Sequence, residues 1–161
     1  MPFWMTIAEW SARLVLILLI FLSIWSVSIM IDRKRFFKKL ETTPPDTSWN
    51  TEPHFETRIE LNKNNLEKGL PFLGTLGSTA PFIGLFGTIL GIIKAFGELS
   101  INSINTNRIM FLLAEALILT AVGLAVAIPS VIAFNYFQRK VRRQITMIRA
   151  MRQDHEFSSS R

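Results

Sequence analysis

With 161 residues the chain has room for one domain or one compact membrane module. It is 49% apolar and only 19% charged, with a mean hydropathy of +0.31. Charge is nearly absent from Leu14–Ile31, Gly69–Ile93 and Ile109–Gln138, which excludes a small soluble enzyme, because a soluble surface needs charge every few residues. The lack of cysteine excludes disulfides, thiol nucleophiles and thiolate metal sites.

The three apolar runs are 18, 25 and 30 residues long, matching the roughly 20 that a helix needs to cross the hydrocarbon core. The first predicts a span over about 11–32. Arg13 precedes this run, Asp32-Arg33-Lys34-Arg35 follows it, and no small-residue cleavage pattern comes next, so it reads as a retained span rather than a signal peptide. A loop over 33–69 comes next. Glu41–Pro53 holds three prolines and reads as a turn-rich linker. From His54 on, Phe55, Ile59, Leu66 and Leu70 recur at helical spacing, which predicts a helix continuing span two into the cytoplasm. Span two, about 70–96, contains Pro71 and Pro81, each expected to kink or break it unless neighbours satisfy the freed carbonyls. Span three, about 109–138, continues into a basic tail over 139–161 with Val141, Ile145 and Ile148 on one face. The expected architecture is one all-α membrane domain over 1–161, with spans two and three extended into the cytoplasm.

Net charge is +6, and the basic residues flank the spans, as topology control requires, rather than forming a nucleic-acid surface. Fifteen of the eighteen lie in the 33–69 loop or the C-terminal tail; the exceptions are Arg13, Lys94 and Arg108. The positive-inside rule then puts the N-terminus and Gly97–Asn107 outside, and the loop and C-terminus in the cytoplasm. Trp10 and Tyr136-Phe137 suit the interfacial aromatic belts. His54 and His155 stand alone, so no metal site, cofactor or enzymatic signature is expected.

Small residues line one stripe of each later span. Gly84, Thr88, Gly91 and Ala95 fall at i, i+4, i+7 and i+11, and Gly87 joins Gly91 and Ala95 in a small-xxx-small series. Ala116, Thr120, Gly123 and Ala127 repeat the spacing in span three. Close helix packing is expected at Gly84, Gly87, Gly91, Ala116, Gly123 and Ala127, in an oligomer or a dense bundle. Glu115 is the one acid within these spans, and a carboxylate facing lipid costs about 2.5 kcal/mol or more. Such residues mark ion or proton paths by default. Centring the hairpin between Ile101 and Asn102 makes Thr88 and Glu115 nearly level. Thr120 then lies about 7.5 Å deeper, with Ser78 and Thr79 deeper still, a ladder of hydroxyls with no basic residue to neutralise the acid.

The run GSTAPFIGLFGTILGI (Gly77–Ile92), with AEALILTAVGLAVAIPSVIAFNYF (Ala114–Phe137), resembles the ExbB/TolQ branch of the MotA/TolQ/ExbB proton channels. The likeness is close over Leu70–Lys140 and looser over Trp25–Phe37. The MotA branch, with four spans and no glutamate in this motif, is a poorer match. The resemblance implies that Glu115, Thr88 and Thr120 line a proton path, with Thr79 and Ser78 as secondary pore-lining positions. It also implies a pentamer of three-span subunits around the single spans of an ExbD/TolR-type partner. Such a complex sits in the bacterial inner membrane and drives a TonB- or TolA-like envelope-spanning protein. The Asp32–Lys68 loop, 37 residues here, is less than half the usual length for ExbB and TolQ, as expected of a short member. The rival readings are a non-conducting scaffold in which Glu115 only holds a partner, and a small-solute transporter, disfavoured because no inverted repeat is present.

Overall fold

The computed structural model describes residues 3–42, 55–101 and 106–159. These form four helices: α1 (Phe3–Thr42), α2 (Phe55–Glu67), α3 (Leu70–Ile101) and α4 (Thr106–Ser159). Among them, α1, α3 and α4 are long and apolar enough to cross a membrane, the qualifying stretches being Arg13–Leu40, Leu70–Glu98 and Thr106–Gln153. At 54 residues α4 is about 80 Å long, far more than the roughly 30 Å hydrocarbon core. The turn-rich linker lies outside the described residues, except Glu41 and Thr42, which finish α1. His54 also lies outside them.

The helix expected to continue span two is a separate element. Gly69 between α2 and α3 has φ of +79°, a left-handed conformation that glycine adopts at little cost and that ends a helix. Its carbonyl then accepts the first bond of α3, from the Leu73 amide at 3.5 Å. Pro71 therefore sits in the first turn of α3, where no helical hydrogen bond is lost. Pro81 and Pro129 lie within continuous helices, so the expected break at Pro71 or Pro81 does not occur.

α3 and α4 form an antiparallel hairpin, and α1 packs along it. One apolar cluster joins Val15 and Leu19 of α1 to Leu76 and Ala80 of α3 and to Leu119, Val126 and Ala127 of α4. A second joins Phe37 of α1, Leu66 of α2, Leu70 and Leu73 of α3, and Phe137 and Val141 of α4. Phe37 and Phe137 stack in it with centroids 5.6 Å apart. Between the clusters the buried hydroxyls of Ser26 and Ser130 meet at 2.9 Å, and Ser130 donates to the Val126 carbonyl at 2.7 Å. Each hydroxyl is satisfied without water, as a dry helix interface requires. Arg33 donates to the Asn65 carbonyl and Arg149 reaches Glu56 at 3.5 Å, so α1 and α4 both hold α2.

The small residues explain the tightness of the hairpin. A Cβ at Gly84 would come 2.7 Å from the Leu119 carbonyl oxygen, and one at Gly123 would come 2.7 Å from that of Ala80. The Cα atoms of these two glycines interlock, each 3.1–3.2 Å from the Cβ position of the other. At Gly91 a Cβ would meet the Ala116 Cβ at 2.6 Å, and at Gly87 one would meet Leu119 and Val15 methyls at 2.9 Å. Ala127 belongs to the first apolar cluster. Both stripes are thus used inside one chain, and they carry no information about a further copy.

Candidate functional site

α3 ends at Ile101 and α4 begins at Thr106, so the hairpin turns about two residues later than the charge pattern implied. Glu115 is consequently level with Gly91 and Ile92, and Thr88 lies about 6 Å deeper along α3. The expected level pairing of Thr88 with Glu115 is corrected in this way. Thr88 instead faces Thr120, and their hydroxyls are hydrogen-bonded.

Thr88 is buried and has two carbonyls in reach, Ala116 O at 3.0 Å and Gly84 O at 3.2 Å. Its single proton serves one of them at a time, and Thr120 then donates to the Thr88 oxygen. The result is a two-hydroxyl chain between the helices. It exists because Gly84 and Gly123 bring the backbones close enough for two short side chains to touch.

Glu115 is exposed in the single chain and lines a cleft of about 360 Å³ whose floor is Gly91, Ala116 and Leu119. Arg13 of α1, Lys94 of α3 and Arg108 of α4 line the same cleft. These are the three basic residues that lie away from the two large basic clusters. Three helices thus deliver one cation each to the cleft that Glu115 lines. Even so, among the described residues Glu115 makes no hydrogen bond or ion pair. Arg108 is engaged by Glu98, Nε to Oε2 at 2.5 Å and Nη2 to Oε1 at 3.2 Å. Glu98 is buried near the loop end of α3, within the apolar stretch that reaches one turn beyond Lys94.

Ser78 and Thr79 lie on the exposed face of α3 and donate to the Thr75 carbonyl at 2.9 and 2.8 Å, the usual resting bond of a helical hydroxyl. They touch neither the threonine pair nor the Glu115 cleft. Among the described residues no cluster of His, Cys, Asp or Glu is placed to hold a metal ion. Sequence reasoning missed Arg13, Lys94, Glu98 and Arg108. A signal was available: three cations stood outside the basic clusters, and Lys94 and Glu98 were spaced one helical turn apart.

The family description "MotA/TolQ/ExbB proton channel family" matches residues 29–150, which include all of α2 and α3 and the part of α4 that carries the site. The chain belongs to the MotA/TolQ/ExbB proton channel family. Over 95 residues it is 43% identical to the biopolymer transport protein ExbB of Aquifex aeolicus, covering 57% of this chain and 62% of that protein. It is 46% identical over 83 residues to the Tol-Pal system protein TolQ of Pseudomonas aeruginosa, covering 51% and 36% respectively. A putative ExbB-like protein 2 of Helicobacter pylori matches at 38% over 123 residues, 76% of this chain and 75% of that one. The chain thus spans less than two thirds of the first two relatives. Family membership and three apolar helices together make it a multi-pass membrane protein of the bacterial proton-channel class, of the kind found in membrane-energising complexes.

Proposed function

We propose that the chain is the proton-conducting subunit of an ExbB–ExbD or TolQ–TolR type complex in the bacterial inner membrane. Proton motive force would drive protons past Glu115, and its change of charge would alter the fit between a ring of subunits and an enclosed single-span partner. The observation that carries this reading is the pairing of one unbonded membrane carboxylate with a two-hydroxyl chain, buried at Thr88 and half-buried at Thr120, on the same hairpin. Glu115 loads and unloads the proton; Thr88 and Thr120 lie on the path one turn deeper, with water bridging to the acid.

The exposure of Glu115, Ser78 and Thr79 in a single chain fits a pore face that is completed only when copies assemble. A pentamer is the form implied by the family. A TonB- or TolA-like envelope-spanning protein receives the motion, and energised outer-membrane uptake or envelope maintenance results. The N-terminus lies outside and the C-terminus in the cytoplasm; a reporter near Asn102 scoring cytoplasmic would reverse that orientation.

The rival scaffold has Glu115 merely holding a partner. Glu115→Gln separates the two, because an amide keeps size and hydrogen bonding but cannot titrate. In a strain carrying only this variant, a motor assembles with its partner and loses energised function. A variant that assembles and supports wild-type function leaves the scaffold.

A further inference from the structure

Two basic clusters lie a hundred residues apart in the sequence and side by side in the fold. α1 carries five cations over residues 33–39 and α4 carries four over residues 139–143, with no acid in either stretch. Phe37 of α1 stacks on Phe137 of α4, which sets both clusters at one level. Topology control needs such cations on one side of the membrane, but it does not need them to meet. On one flank of α4, Arg142 shares a cleft with Glu60 and Glu67 of α2. The opposite flank has a different make-up. Ile132, Tyr136, Lys140 and Arg143 fall there at i, i+4, i+8 and i+11, on one helix face. Ile132, Tyr136 and Arg143 are exposed and Lys140 is half-buried. The Lys140 Nζ lies over two rings, 5.2 Å from the centroid of Tyr136 and 5.9 Å from that of Phe37, so its charge is held at the seam of α1 and α4. Over about 16 Å the face passes from aliphatic to aromatic to doubly basic. A phospholipid presents the matching order, from acyl chain to ester region to phosphate.

We propose that this face of α4, with the basic end of α1 beside it, binds an anionic phospholipid. The acyl chain lies against Ile132, the ester region meets Tyr136, and Lys140 and Arg143 take the phosphate. An acidic protein segment would match the charge but not the aliphatic and aromatic steps that lead to it. The ordinary alternative is that the cations serve topology alone and Lys140 only packs on the rings. The proposal is independent of the role given to Glu115.

Full-length protein purified in mild detergent would be titrated with phosphatidylglycerol and, separately, with phosphatidylcholine of the same acyl chains. Bound lipid would be counted by native mass spectrometry. The wild type should bind phosphatidylglycerol about 25-fold more tightly, about fivefold for each of the two cations near the phosphate. Lys140→Gln with Arg143→Gln should remove most of that preference and leave phosphatidylcholine binding unchanged. Arg143→Gln alone, at an exposed position away from the stacked rings, should leave about a fivefold preference. The same loss of charge further along α4, in Arg149→Gln with Arg152→Gln, should leave the full preference.

Absence of any preference in the wild type overturns the proposal. So does an equal loss in the Arg149 and Arg152 pair, which would make the attraction diffuse. A parallel loss of both lipids in the Lys140 and Arg143 pair also overturns it, since that would trace the effect to broken packing. None of these results bears on Glu115→Gln, so the motor reading and the lipid site stand or fall separately.

Discussion

At the level of Gly84 and Gly123 the backbones of α3 and α4 touch over a surface lined with threonine hydroxyls, whereas about two turns nearer the loop, where the helices still meet at Gly91 and Ala116, a cleft of about 360 Å³ with Glu115 in its wall opens beside the contact. The first level holds two threonine hydroxyls bonded to each other, Thr88 buried and Thr120 half-buried. The second is open and holds an acid among three cations. The contrast shows how one hairpin makes a polar site with no buried side-chain group left unsatisfied among the described residues. Glycines fix the approach of the helices, the approach fixes which hydroxyls meet, and the charged residues line a cleft beside that contact.

The level of Gly84 and Gly123 should be the more fragile. Gly84→Leu drives a side chain into the Leu119 carbonyl, a backbone atom that cannot step aside, and should cost about 3 kcal/mol or more. The check is thermal unfolding of the purified protein with fluorescence-detected size exclusion; a Gly84→Leu protein as stable as wild type would break the comparison. The threonine pair should give an intermediate effect. Thr88→Val or Thr120→Val keeps shape but removes a link, and energised function should fall about five- to tenfold without loss of assembly, since water partly substitutes. Full activity in the double valine variant would remove the hydroxyls from the path. Gly87→Ala should be smallest, within about 1 kcal/mol in the same unfolding assay, because the added methyl meets the ends of the Leu119 and Val15 side chains, which can give way.

The three spans, the packing stripes and the singular Glu115 were legible because each is a pattern within one helix: an apolar run, a spacing, a charge out of place. What was not legible depends on how helices meet. The hairpin turn lies two residues from where charge placed it, and that shift alone moved Thr88 from the level of Glu115 to that of Thr120. The break at Gly69 was hidden by Leu66 and Leu70, which keep a helical spacing across it because both face the same cluster around Phe37 and Phe137. The Ser26–Ser130 bond joins residues 104 apart, and no local spacing announces it. Arg13, Lys94 and Arg108 looked like stray charges at three span ends until the fold brought them to the cleft that Glu115 lines.

The most direct test of the account measures proton movement itself. The chain, co-purified with the single-span partner it captures from its own cells, would be placed in vesicles holding a pH-sensitive dye, and a potassium-diffusion potential applied. The wild-type complex should pass protons, and an equally assembled Glu115→Gln complex should fall to the rate of protein-free vesicles. Proton flux through the Glu115→Gln complex at the wild-type rate would contradict the account.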